Sequence, residues 1–229
     1  MPRQPIAKNK KAVVLISGGL DSAVTLYYAL KRGFLCFGLI FDYGQRHKRE
    51  IESAKRICGI CGCNYELIRI RLPWKGSSLL DNSLAVESRF GRPRSIPNTY
   101  VPGRNIIFLS FASSFAEVVG ANTIFIGAHT QDYSGYPDCR WEFLKVMEDV
   151  LALGTRAGSC GDRIKIEAPL IRMVKSQIIR LGLKLGVPFQ HTWSCYRGGR
   201  YPCGRCDSCL YRAKGFQGAG LEDPLLVKQ

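Results

Sequence analysis

Apolar and polar residues fall in blocks along this chain, and the blocks carry two different periods. An unbroken apolar run, Val13 to Ile16, precedes the polar Ser17-Gly18-Gly19-Leu20-Asp21-Ser22, after which Val24, Leu26, Tyr27 and Leu30 recur at helical spacing. Four successive apolar residues suit a parallel strand covered on both faces, and the later spacing suits an amphipathic helix. Ala12 to Gly33 therefore predicts a buried strand, a tight polar turn and a helix. The same grammar returns in Phe34 to Phe41, an apolar run ending in Asp42-Tyr43-Gly44-Gln45-Arg46-His47, then in an amphipathic stretch from Arg46 to Cys58 and a strand pattern from Tyr65 to Ile70.

Farther on, helical patterns cover Asn105 to Val119, Trp141 to Leu153 and Lys175 to Leu185, the last ended by Gly186 and Pro188. Strand patterns cover Thr123 to Gly127 and Ile164 to Ile166, and a polar loop runs from Ala128 to Asp138. Strands alternating with helices predict an α/β fold, a doubly wound parallel sheet with right-handed crossovers. Arg71 to Tyr100 has weak periodicity, and a connection of that length is usually functional or mobile. Ligands of such sheets bind beyond the carboxyl ends of the strands, so residues 42–45 and 127–139 should rim the same cleft as 17–22. The expected organisation is a basic tail at 1–11, the α/β domain at 12–189, and a small cysteine-bearing subdomain with a tail at 190–229.

Composition narrows the class. At 229 residues and 46% hydrophobic the chain can bury a substantial core. It has no apolar stretch of about 18 residues, and residues 1–11 are too polar for a signal peptide, so a cytoplasmic protein with no membrane partner is expected. The net charge of +15 suits nucleic acid, a polyanionic small substrate such as ATP, or merely a basic solvated surface. Charge alone does not choose among them.

The turn at 17–22 has the chemistry of an anion site. Gly18 and Gly19 allow close backbone approach, the following helix N-terminus presents N–H groups, and Ser17 and Ser22 add hydroxyls. The bland alternative is a strand-to-helix turn with a Ser or Asp cap. No Gly-Lys-Ser/Thr ending follows, so the loop is not of the Walker type. It resembles instead the Ser-Gly-Gly-x-Asp-Ser motif of the N-type ATP pyrophosphatases, which implies attack at the α-phosphorus with loss of pyrophosphate. Asp21 could orient Mg²⁺ on the phosphates, cap the helix, or do both.

Four of the ten cysteines, Cys195, Cys203, Cys206 and Cys209, crowd into fifteen residues with overlapping Cys-x-x-Cys steps. In a reducing compartment that spacing points to a four-thiolate metal site, with Zn²⁺ favoured and an iron–sulfur cluster as the chemical rival. Zinc closed by four thiolates would be structural rather than hydrolytic. Cys58, Cys61 and Cys63 lack an evident fourth ligand and read as buried thiols, as do Cys36 and Cys160. His129, Gln131, Asp132, Tyr133 and Asp138 could pair with a polar heterocycle, unless they form only a surface turn built on Gly135 and Pro137. His129 by itself reads as a hydrogen-bonding loop residue rather than a base, and no Ser-His-Asp triad is recognisable.

Taken together, Ser17-Gly-Gly-Leu-Asp-Ser22, Asp42-Tyr-Gly-Gln-Arg-His47, Val101-Pro-Gly-Arg-Asn105, Asp132-Tyr-Ser-Gly-Tyr-Pro-Asp-Cys-Arg140, Thr192-Trp-Ser-Cys-Tyr196 and the three later cysteines resemble the QueC family of 7-cyano-7-deazaguanine synthases. The resemblance implies an adenine-nucleotide α-hydrolase-like fold. It implies ATP binding by Ile16, Ser17, Gly18, Gly19, Leu20, Asp21, Ser22, Ala23, Val24, Thr25 and Leu26, with Ser17, Asp21 and Ser22 acting in catalysis. Gln45, Arg104, Asn105, Asp132, Tyr133, Asp138 and Arg140 would meet the substrate, and Cys195, Cys203, Cys206 and Cys209 would hold one structural Zn²⁺. The family often has asparagine at the position of His129 and threonines at those of Ala23 and Val24.

The implied reaction joins 7-carboxy-7-deazaguanine and ammonia at the expense of ATP, supplied with Mg²⁺, to give the nitrile precursor of queuosine and archaeosine. No direct nucleic-acid partner is expected, and a homodimer is left open. The rival from the same superfamily is a tRNA-thiolating enzyme, which would need an RNA-binding domain or a redox-active cysteine pair. A nucleic-acid-binding zinc ribbon would leave the phosphate loop unexplained, and use of the scaffold on another carboxylate, including one on a protein, stays open.

Overall fold

Five strands, β1 (Lys11–Leu15), β2 (Leu35–Asp42), β3 (Asn64–Arg69), β4 (Thr123–Phe125) and β5 (Lys165–Glu167), form one sheet in the order β3-β2-β1-β4-β5. Every pairing is parallel; Val13 lies opposite Phe37 on one side and Ile124 on the other. The computed structural model describes residues 10–88, 90, 96–129 and 135–226.

The apolar run at β1 is unbroken because both of its faces are covered. Ala12, Val14 and Ile16 point into a core shared with helices α1 (Leu20–Lys31) and α2 (Arg49–Cys61), while Val13 and Leu15 point into a second core beneath α3 (Arg104–Val119) and α4 (Trp141–Gly154). A short helical turn, α5 (Arg156–Ser159), follows α4, and α6 (Lys175–Lys184) and α7 (Asp207–Ala219) join the first layer through Ile178, Ile179 and Phe216. Each fully buried Val, Leu or Ile contributes about 1.5–3 kcal/mol relative to exposure. Strand order reverses at β1, between β2 and β4, and this is the crevice where doubly wound sheets bind ligands.

Three segments depart from the expected pattern. β4 ends at Phe125 rather than Gly127, because the chain turns away against the phosphate loop: a Cβ on Gly127 would lie 3.1 Å from the Asp21 and Ser22 backbone. α2 begins at Arg49 rather than Arg46, since Gln45 holds the preceding turn by accepting from Tyr43 N at 2.8 Å and donating to Phe41 O at 3.1 Å. α7 was not expected at all. Its sequence has little apolar periodicity, and Gly215 weakens it intrinsically, but a Cβ there would lie 2.4 Å from Lys175 Cγ, so the glycine permits close packing on α6.

Parts of the long connection before α3 are packed. Ser77 and Ser78 are fully buried, Arg46 N donates to Leu79 O at 2.8 Å, and Val86 joins the apolar surround of the cysteine group. Among the described residues no helix is long and apolar enough to cross a membrane.

Candidate active site

The phosphate loop is held open by its own hydroxyls. Ser22 Oγ lies 3.1 Å from Ser17 Oγ, accepts from Ser17 N at 3.2 Å and donates to Gly19 O at 3.1 Å, while Gly19 N donates to Ser17 Oγ at 3.2 Å. Gly18 has φ 81°, and a Cβ there would sit 2.0 Å from the Glu50 carbonyl oxygen, so α2 fixes the turn from beneath. No side chain caps α1, whose N-terminal N–H groups therefore face the crevice together with Ser17, which is exposed. Of the family's ATP segment, Ala23, Val24, Thr25 and Leu26 are buried in the body of α1 and support the loop rather than line it.

The loop lacks a lysine of its own, but one reaches it from far along the chain. Lys175 Nζ, at the start of α6, donates to both carboxylate oxygens of Asp21 at 2.8 Å and lies 3.0 Å from His129 Nε2. His129, buried at the end of the β4 loop, stands 3.5 Å from Asp21 Oδ2. Burial would raise the Asp21 pKa, but Lys175 and His129 together outweigh it and hold the carboxyl below its ordinary value. The loop thus carries an ionised acid with a cation beside it.

A cavity of about 230 Å³ opens over this loop at the switch point. Ser17, Gly19, Asp21 and Ser22 form one wall; Phe41, Tyr43, Glu50, Arg104 and Phe108 form another; Trp193, Ser194, Tyr196 and Ser208 close a third. Phe41 and Phe108 stack with centroids 3.9 Å apart, giving that wall a flat aromatic character. Burial pushes the Tyr43 hydroxyl up to about 12 and the Glu50 carboxyl up to about 7, in each case against the attraction of the Arg104 guanidinium. Burial disfavours the charged Arg104, but Tyr43, Tyr136 and Cys139 outweigh it and raise its pKa.

The residues expected to meet substrate separate into groups. Arg104 and Asn105 line the cavity. Gln45 is not among the cavity-lining residues and braces the turn at 42–46. Asp138 is buried, and its Oδ2 accepts from Asn105 N at 2.9 Å while its carbonyl accepts from Asn105 Nδ2 at 3.1 Å; this anchors the start of α3. Arg140 is exposed and is not among the cavity-lining residues. Asp132 and Tyr133 lie outside the described residues. Sequence reasoning passed over Glu50, which reads as the polar face of α2, and Lys175, whose proximity to Asp21 is purely tertiary. Trp193 and Tyr196 were singled out only through the motif they share with Cys195.

The four cysteines converge. The Sγ atoms of Cys195, Cys203, Cys206 and Cys209 all lie within 4.8 Å of one another, with Cys203 and Cys209 4.0 Å apart. A tetrahedron with metal–sulfur bonds of about 2.3 Å has edges of roughly 3.8 Å, so this set fits a four-thiolate metal site. Hydrogen bonds from Cys206 and Cys209 hold the Cys195 thiol well below its ordinary value, while those bonds to Cys195 and Cys206 push Cys209 up. Trp193 precedes the group, with Arg49 stacked 4.8 Å over its ring, and its backbone N–H donates to Gly18 O at 2.9 Å. The cysteine module is therefore part of the wall of the cavity.

A family model described as queuosine biosynthesis protein QueC matches residues 11–220. The 7-cyano-7-deazaguanine synthase of Thermoplasma acidophilum is 50% identical over 220 residues, covering 95% of this chain and 92% of the relative; that of Trichodesmium erythraeum is 50% identical, covering 94% and 100%. Among solved structures, the NMN synthetase of Francisella tularensis superposes with a TM-score of 0.50 at 16% identity, covering 94% of this chain and 79% of the other, a likeness of fold alone.

Proposed function

The chain belongs to the QueC family and is an enzyme, and we propose that it makes 7-cyano-7-deazaguanine from 7-carboxy-7-deazaguanine, ammonia and ATP. A carboxylate is a poor electrophile because its oxygen leaves badly, so ATP first converts it to an acyl adenylate with loss of pyrophosphate. Ammonia then displaces AMP to give the amide. A second adenylylation activates the amide oxygen, and loss of AMP leaves the nitrile.

The observation that carries this reading is the common cavity. The phosphate loop, with Asp21, opens into the same space as Arg104 and the aromatic wall, and Lys175 backs Asp21 from α6. The loop N–H groups and Lys175 would bind the ATP phosphates and stabilise charge on departing pyrophosphate. Mg²⁺ would enter on those phosphates and neutralise them, with Asp21 the loop carboxylate facing it. Arg104 would meet the substrate carboxylate, and the Phe41–Phe108 wall the flat heterocycle.

In the cysteine module we assign Zn²⁺, since four thiolates suit it and leave no open position. Asp132 and Tyr133 keep the role of base recognition that the family motif implies; Asp132→Asn would then weaken deazaguanine binding with ATP affinity nearly unchanged. The direct test is mass spectrometry of products from the purified protein with ATP, ammonium and 7-carboxy-7-deazaguanine. The nitrile is expected; accumulation of the amide alone, or no product, would overturn the reading.

A further inference from the structure

Glu50 is a carboxylate in the cavity that neither the phosphate loop nor the cysteine module uses. It is the second residue of α2, and its main chain underlies the loop, as the 2.0 Å approach of a Gly18 Cβ to its carbonyl oxygen shows. Its side chain lines the same cavity as Ser17, Asp21 and Arg104. An acid in the first turn of a helix is often only a partner for the helix dipole. That role needs no cavity shared with the phosphate loop and Arg104.

Resting on the reaction assigned above, we propose that Glu50 is the base that accepts the nitrogen-bound protons released between carboxylate and nitrile. Adenylylation of the carboxylate forms a C–O–P linkage, expels pyrophosphate and moves no proton. Attack by ammonia forms the C–N bond, breaks the acyl C–O bond, expels AMP and leaves one proton to be removed from nitrogen. Adenylylation of the amide oxygen expels a second pyrophosphate and removes a second N–H proton. Elimination breaks the C–O bond to the second AMP, completes the triple bond and removes the third. Three of the four steps therefore need a proton acceptor near the nitrogen, and only the first does not.

Among the described residues, the charged and titratable groups that act on Glu50 or share its wall of the cavity do not take that task. Arg104 on α3 is a fixed cation; Tyr43, after β2, keeps its proton far above neutrality; and Asp21 on α1 is held ionised by Lys175 and His129. Gln45 does not titrate. A base works best with a pKa near the operating pH, and burial sets Glu50 there, at about 7.

The test separates the proton-free step from the others. Glu50→Gln, which keeps the size and shape of the side chain, should still release pyrophosphate from ATP and 7-carboxy-7-deazaguanine without ammonia, at close to the parent rate. Conversion of the amide to nitrile with ATP should fall at least about a hundredfold, with Glu50→Asp partly restoring it. In the parent, that amide step should rise with pH and level off above about 7, while acid-dependent pyrophosphate release stays flat. Unimpaired nitrile formation by Glu50→Gln overturns the inference, as does equal loss of both reactions, which would mark a binding or structural role. If the variant does not fold, the parent pH profiles decide, and two flat profiles overturn it. Failure of the parent itself to make nitrile would instead contradict the assigned reaction.

Discussion

The backbone N–H of Trp193 donates to the carbonyl of Gly18, so the chain entering the cysteine module is bonded directly to the turn of the phosphate loop. Ser194, Tyr196 and Ser208 of the same region line the cavity, and Arg49 of α2 stacks on the Trp193 ring. Metal binding and nucleotide binding should therefore be coupled.

Removing the metal is the first test of that coupling. Because metal affinity at such a site is folding free energy, Cys206→Ala or a strong chelator should lower the melting temperature and, in the protein that stays folded, weaken ATP. Metal analysis should find about one Zn²⁺ per chain. Iron with sulfide in anaerobically purified protein would replace that assignment, and unchanged ATP affinity in metal-free folded protein would break the coupling.

A second prediction concerns the clamp behind the module. Arg212, buried on α7, pairs with Asp223 through Nε at 2.6 Å and Nη2 at 2.8 Å, and its other donors reach Thr192 Oγ1 at 2.7 Å and Phe189 O at 3.1 Å. It thus fixes the segment that presents Trp193. Asp223→Ala strands a buried guanidinium and should cost roughly 3–5 kcal/mol in chemical denaturation. A loss below about 1 kcal/mol would mean that the clamp is not what holds this segment.

The Asp21–Lys175 pair predicts a pH dependence with a definite sign. Asp21 has a depressed pKa in the folded state, so its contribution to stability is full above the ordinary carboxylate value of about 4 and is lost as pH falls below it. Asp21→Asn should accordingly flatten the acid limb of the stability curve. In Lys175→Met burial of the carboxylate is less compensated, so the folded-state pKa of Asp21 rises toward or above its unfolded value and the acid loss of stability should shrink or reverse; ATP should bind roughly ten- to hundredfold more weakly. Calorimetric titration and melts across pH 2–6 would check both; identical acid limbs in parent and Asp21→Asn would contradict the pairing.

What could be read from the sequence was what local chemistry fixes. The run Val13–Ile16 and the glycines after it specify strand, turn and helix within a few residues, and the cysteine spacing specifies a common centre. The rest depends on contacts distant in the chain. Lys175 meets Asp21 across 154 residues, and no local pattern marks it. Glu50 sits at a polar position of an amphipathic helix, which reads as solvent until Gly18 and the cavity are seen against it. Asp138 shows the converse: its acceptor chemistry suits a heterocycle, yet the structure engages it with the N-terminus of α3. α7 was hidden because close packing through Gly215, rather than apolar periodicity, holds it in place.

The central claim is that the loop at 17–22 supports adenylylation of the substrate rather than transfer of a terminal phosphate. The most direct measurement is to quantify nucleotide and product together during turnover of the purified protein with ATP, ammonium and 7-carboxy-7-deazaguanine. AMP and pyrophosphate should form together, each in twofold molar excess over the nitrile, with the amide appearing first. ADP and inorganic phosphate as the main nucleotide products would contradict the account.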